Sequence, residues 1–301
     1  MGTTTKALSG ETPREAARSL PWAAIAWFGV LLIVCYAPVL RLLVAQWMGD
    51  ADMGHGFFVP IVAGWVVWQR REQLMALEPR PNYWGLLLVL WGMVQMLLGS
   101  IGAELFLART ALLISLTGMV LLLGGTKALR LLAFPLVLLI FMIPIPAMIY
   151  SLITLKFQLL ASSIASNSLN AIGIPVLQTG NILELPNGMQ LSVAEACSGI
   201  RSLLSLSFLS LVYGYLFDSK PWMRIVLLIG ALPIAIAANA FRVTLTGLIA
   251  DNKPEYAEGA FHTFEGWVLF LVALLLLVGF HRLVNAIYYR WKNKHGEEAV
   301  A

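Results

Sequence analysis

The sequence predicts an all-α polytopic membrane protein of about eight transmembrane helices, with an interfacial amphipathic helix and a small β-hairpin. Three observations lead there. Of 301 residues, 59% are hydrophobic and only 12% charged, and the mean hydropathy of +0.81 lies outside soluble-domain averages. Apolar runs approaching twenty residues, long enough to cross about 30 Å of hydrocarbon, recur along the chain. The basic residues cluster on alternate connections, as a multi-pass topology requires.

Taken in order, residues 1–20 are polar, with Gly10 and Pro13, and read as a cytoplasmic tail. A membrane domain is expected over 21–284, with outer elements over 150–197, and a second cytoplasmic tail over 285–301. The spans fall near 22–40, 55–68, 84–101, 105–124, 129–149, 198–217, 222–241 and 265–284, the second of them short. The first run is longer than a signal-peptide core and lacks a small-residue cleavage site, so it reads as a retained anchor. With the N-terminus inside, fourteen Lys and Arg residues face the cytoplasm and four (Arg41, Lys156, Arg242, Lys253) face out. The net charge of +4 is therefore topological, and scattered basic residues of this kind give no nucleic-acid surface.

Ile143-Pro144-Ile145-Pro146 ends the fifth span, because proline has no N–H to donate and clashes with the preceding turn. Between Ser151 and Ile172, apolar Ile153, Phe157, Leu160 and Ile164 alternate with Lys156, Ser162, Ser163, Ser166, Asn167 and Asn170, the pattern of an amphipathic helix in the outer interface. A ninth span is the rival reading, and it disturbs the charge count. Next, alternating residues flank Pro186-Asn187-Gly188, which predicts a hairpin of Gly180–Leu185 with Met189–Val193.

The hairpin feeds Glu195-Ala196-Cys197-Ser198-Gly199-Ile200-Arg201, at the mouth of the next span. Of two cysteines, Cys35 lies in an apolar run and reads as a packing group. Cys197 stands where Ser198 caps a helix and Arg201 adds charge, and a helix N-terminus lowers a thiol pKa. An outward, unpaired thiol in an oxidising compartment serves something other than a structural disulfide. Two further outer helix ends carry polar residues: Asn239-Ala240-Phe241-Arg242 closes the seventh span, and His262 opens the eighth. Cysteine acyl transfer needs a thiolate, a proton carrier and donors for the oxyanion, which Cys197, His262 and Arg242 supply as residue types. His55, in the outer connection after the first span, is placed in a supporting shell, and Arg109 reads as an arginine snorkelling to the nearby surface. No metal site is called for, because one outer cysteine with His55 and His262 lacks a ligand spacing, and no cofactor motif appears.

The run Ala196–Ser202, the Asn239–Arg242 motif and the later His262 resemble the signature of the exosortases, bacterial membrane enzymes of the exosortase/archaeosortase group. The resemblance covers most of the chain, from His55 through the last span. It implies a cysteine transpeptidase or protease of the inner membrane, its site facing the periplasm, acting on exported proteins with a C-terminal PEP-CTERM tail: Pro-Glu-Pro, a membrane segment and a basic end. It implies Cys197 as nucleophile, with Arg242 and His262 as the other catalytic members. Arg201, Ser198, Glu195, Asn239 and His55 are supporting. The partners are tailed proteins and the lipid bilayer, without nucleic acid, and the acceptor is left open. A transporter or assembly factor for extracellular polysaccharide is the alternative from another class. A membrane acyltransferase would need a base in the bilayer interior, which the sequence lacks.

Overall fold

The computed structural model describes residues 22–193, 200–252 and 260–298, without the side chains of 252, 260–263 and 295–298. The helices are α1 (Trp22–Cys35), α2 (Ala37–Gly49), α3 (Phe58–Gln69), α4 (Arg71–Met75), α5 (Trp84–Ile101), α6 (Leu105–Leu138), α7 (Ala147–Ala171), α8 (Ile200–Phe217), α9 (Pro221–Asn252) and α10 (Ala260–Glu298). Short 3-10 helices cover Ala51–Phe57 and Leu139–Met142. Among the described residues, six helical stretches are long and apolar enough to cross a membrane, or seven if the bent pair α1–α2 is one span. Their outer surfaces are apolar: Trp27, Ile33, Leu97, Ile101, Leu271 and Leu275 are all exposed, as in a protein solvated by hydrocarbon.

The difference from eight has three physical sources. The run at 55–68 becomes α3, whose 12 residues reach only about 18 Å. The runs at 105–124 and 129–149 are largely one stretch, but Gly125 (φ 73°, ψ −170°) breaks it into two limbs, the first about 30 Å long. Finally, α7 has the length and composition of a span. Its polarity is also the reverse of the expected interfacial helix. Gln158, Ser162 and Ser166 lie on the buried face, whereas Ile149, Leu152, Leu155 and Leu160 are exposed.

The chain forms two compact units, one of residues up to Arg41 with Val62–Val137, the other of Leu42–Ile61 with everything from Leu138 onward. In the first, Gly85, Gly92 and Gly99 recur every seven residues and form the buried face of α5. A Cβ on Gly92 would stand 3.0 Å from the Ala111 carbonyl oxygen and 3.1 Å from the Ser115 nitrogen, and one on Gly99 would stand 2.7 Å from the Ala108 nitrogen. The α5 backbone therefore lies directly on α6, the contact by which membrane helices associate when burial from water contributes nothing. Tyr36, at the 67° bend that Pro38 imposes between α1 and α2, seals this seam. Its hydroxyl donates to the Gly92 carbonyl at 3.2 Å and shares a hydrogen bond with Ser115 Oγ at 2.8 Å. Cys35, next to it, is free and exposed, so it faces outward and does not pack inside the protein.

The second unit is built on α7 to α10. The predicted hairpin is present, with Leu183 opposite Leu191, and gains a third strand, so β1 (Leu177–Thr179), β2 (Ile182–Glu184) and β3 (Gln190–Ser192) form an antiparallel sheet in that order. Gly188 N donates to the Leu185 carbonyl at 2.9 Å, and positive φ at Gly188 completes the turn. Leu183, Leu191 and Val193 bury their common face on Ala161 and Ala165 of α7 and on Ala240 and Val243 of α9. The turn is tied to the end of α9 by Asn187 Nδ2, which donates to the Ala250 carbonyl at 3.0 Å. The expected C-terminal tail is helical as far as Glu298, as the end of α10.

At the opposite end of α9, Asp218 is nearly buried. Its Oδ2 lies 2.9 Å from His281 Nε2 and accepts from Asn285 Nδ2 at 3.0 Å and from Lys220 Nζ at 3.2 Å. Burial raises its pKa, but the hydrogen bonds from His281, Asn285 and Lys220 outweigh this and hold the carboxyl well below the usual carboxylate range.

Two outcomes are expected. Gly92→Leu pushes α5 off α6 and lowers stability by about 1–3 kcal/mol, read as a fall in Tm in detergent. Asp218→Ala strands His281 and Lys220 and costs about 3 kcal/mol. Because the folded pKa of Asp218 is depressed, its contribution is complete above about pH 4 and lost below, so the Tm gap to wild type narrows only in acid.

Candidate active site

The polar residues of α9 that face α10 are Asn239, Arg242 and Thr246, spaced so that one helix face carries all three. Asn239 and Arg242 line a small, partly open cleft with Ser202 and Leu206 of α8 and Gly266 and Leu269 of α10. The remaining wall is apolar, formed by Ala235, Ala238, Phe270 and Ala273, where the three helices converge. The Arg242 guanidinium lies against Gly266, its Nη2 only 3.1 Å from where a Cβ would stand. Any side chain at 266 would displace it. One turn further, Thr246 Oγ1 donates to the buried carboxylate of Glu265, at 3.3 and 3.4 Å from its two oxygens.

The start of α8 is positioned separately. Val193 N donates to the Asn181 carbonyl at 2.9 Å, and Val193 and Ile200 are both buried, so the chain is fixed on either side of 194–199. Arg201 Nε donates to Asp52 Oδ1 at 2.8 Å, and the Tyr150 hydroxyl donates to Asp52 Oδ2. Asp52 is 19% exposed and Arg201 52%, so the carboxylate is the buried hub of the cluster. Asp50 orders this hub by accepting from Asp52 N at 2.9 Å. The Arg201 charge is thereby compensated within its own ion pair, which weakens the field it was expected to lend a nearby thiol.

Of the residues predicted from sequence, Arg242 and Asn239 share the cleft with Ser202 and Leu206 of α8 and with Gly266 and Leu269 of α10. His262 belongs to the first turn of α10, four residues before Gly266, but its side chain lies outside the described residues. Glu195, Cys197 and Ser198 lie outside them altogether. His55 is placed elsewhere: its ring stacks toward Phe208, 6.5 Å between centroids, and Phe208 points to the opposite side of α8 from Leu206 and Ser202. Burial lowers its pKa, against the carbonyls of Phe141 and Asp52, so the ring is neutral at pH 7. Asp52, Tyr150, Thr246 and Glu265 carry roles the sequence did not assign. For Glu265 a signal existed in its place three residues after His262, but Asp52 is 149 positions from its partner Arg201.

With this geometry in hand, comparison with protein families is decisive: the sequence profile of the transmembrane exosortases matches residues 47–279, more than three-quarters of the chain. The protein belongs to the transmembrane exosortase family. Comparison with curated proteins and with solved structures finds no match. The exosortase match begins at Trp47, which donates to the Met142 carbonyl at 2.9 Å, and takes in the Asp52 hub, the sheet, the cleft and most of α10. It leaves out α1 and the end of α10, where the exosortase shows no part of the cleft.

The Asp52 hub yields an ordering. Asp52→Ala leaves both Arg201 and Tyr150 without their acceptor and is expected to cost about 1–3 kcal/mol. Arg201→Ala removes a half-exposed partner and costs about 0.5 kcal/mol. Parallel thermal melts in detergent test the order.

Proposed function

We propose that this exosortase is a cysteine transpeptidase or protease of the bacterial inner membrane, its site facing the periplasm, that removes the PEP-CTERM sorting tail of exported proteins through a thioester at Cys197. The observation that carries the reading is the cleft in which Arg242 meets Ser202 and Leu206 of α8 and Gly266 and Leu269 of α10. Cys197 is three residues from Ile200, a separation the chain spans in no more than about 11 Å. His262 is four residues, about 6 Å of helix, from Gly266. The sequence thus attaches a thiol and an imidazole to two walls of the cleft whose third wall carries the guanidinium.

In the first step the Cys197 thiolate attacks the scissile carbonyl carbon. A C–S bond forms, and negative charge collects on the carbonyl oxygen beside Arg242. When the intermediate collapses, the C–N bond breaks and the leaving amine takes a proton from the His262 imidazolium. In the second step water or an acceptor amine attacks the thioester while neutral His262 accepts its proton, and Cys197 leaves as thiolate. Water makes the enzyme a protease, an amine a transpeptidase. In this reading Ser198 is assigned to the helix start and Glu195 to orienting a basic partner. The substrate's own membrane segment reaches the site through the bilayer, which fits the apolar exteriors of the three helices.

Co-expression with a tailed substrate, followed by mass, tests this. Cys197→Ala is expected to abolish loss of the tail, and Arg242→Ala and His262→Ala to slow it by about a hundredfold or more, at unchanged expression. Processing of a validated substrate by Cys197→Ala would sink the thiol mechanism and bring the transporter reading forward.

A further inference from the structure

Asn239 stands in the middle of α9, far from either end, so it caps nothing, and asparagine has no helical preference to explain its place there. Its side chain is more than nine-tenths buried, at 7% exposure. Its Nδ2 is out of contact with solvent and has no hydrogen-bond partner among the described residues. Leu206, Ala235 and Ala238 present only carbon side chains to the cleft, and the Ser202 hydroxyl, which also lines it, makes no hydrogen bond to this Nδ2. Native proteins rarely leave a buried donor unmatched, and where they do, a catalytic role is among the few physical explanations, with strain or a bound water or ion. Here the donor shares its cleft and its helix face with Arg242, three residues on.

We infer that Asn239 is a further substrate-contacting residue, whose Nδ2 donates a hydrogen bond to the reacting carbonyl oxygen of the peptide seated in the cleft. The inference rests on the cysteine-peptidase reading above and assigns that site a second oxyanion donor. The two donors are complementary. The Arg242 guanidinium supplies charge, whereas the Asn239 amide supplies a neutral N–H from a rigid helical position. A carbonyl oxygen has lone pairs for both. Once the carbonyl becomes an oxyanion, a hydrogen bond to it strengthens, so the benefit falls on the transition state. No bond to Asn239 forms or breaks, and it moves no proton.

This assignment makes an unusual prediction, since the amide is unmatched in the free enzyme. Asn239→Leu keeps the volume and removes a buried donor that is unsatisfied before substrate binds. Its Tm is expected to equal or exceed that of wild type, while kcat for tail cleavage falls by about a hundredfold with little change in KM. Asn239→Asp keeps the shape but offers no N–H, and is expected to be as slow. A purely structural amide, or one that only holds a water, would lower Tm and activity together in both variants, and that result overturns the inference. Cleavage by Asn239→Leu at the wild-type rate also overturns it. Should Asn239→Leu fail to express, Asn239→Ala is judged by the same criteria. Cys197→Ala is run in the same series. If it cleaves, the peptidase reading itself falls, whereas an inactive Cys197→Ala beside a fully active Asn239→Leu removes only the role of Asn239.

Discussion

Hydrocarbon on the outside sets the terms for this exosortase. Where lipid is as apolar as leucine, two helices gain little by hiding leucines from it, and association depends on how closely the backbones approach and on polar pairs between them. Both units obey this constraint. In the first, three glycines at heptad spacing lay α5 on α6. In the second, Ala231, Ala235 and Ala273 pack with Leu206, Leu227 and Leu277 where α8, α9 and α10 meet. The same small residues that allow the contact leave room for the cleft, so packing and site have one origin.

The constraint also turns amphipathicity inside out. In water a helix hides its apolar face, but α7 hides Gln158, Ser162 and Ser166 and displays leucines and isoleucines. Gln158 Oε1 accepts from Asn181 Nδ2 at 3.0 Å, and Ser163 Oγ from Gln178 Nε2 at 3.2 Å, so polar side chains of α7 hold the sheet in place. The sheet in turn fixes the approach to the start of α8.

This explains what could be read from the sequence and what could not. The apolar runs, the Pro-Asn-Gly turn and the break near Gly125 are local signals, and all survive. The Asn239–Arg242 motif reads as the outer end of a span, whereas the helix runs on to Asn252 and both residues lie inside it, on one face. Periodicity revealed two faces on α7, but it carries no sign: it does not say which face meets protein when the solvent is lipid. The strand β1 is three residues with no alternation of its own, formed because Leu177–Thr179 can pair with β2. The Asp52–Arg201 pair joins residues far apart in the chain, and nothing in either neighbourhood announces the other. His55 reads as a member of a supporting shell, and its ring lies beside Phe208 of α8, a neighbour that nothing in its own stretch of sequence announces.

The buried cluster at Asp218 has a mechanical consequence. It fastens the α8–α9 connection to His281 and Asn285 of α10, so the three helices are bound together there, and the cleft lies beyond, at the middle of α9 and the opposite end of α8. From Pro221 to Arg242 the arm is roughly 32 Å long. Fastened at its base, such an arm has the reach of a lever: a tilt of about 5° at the pivot would move its tip by about 3 Å.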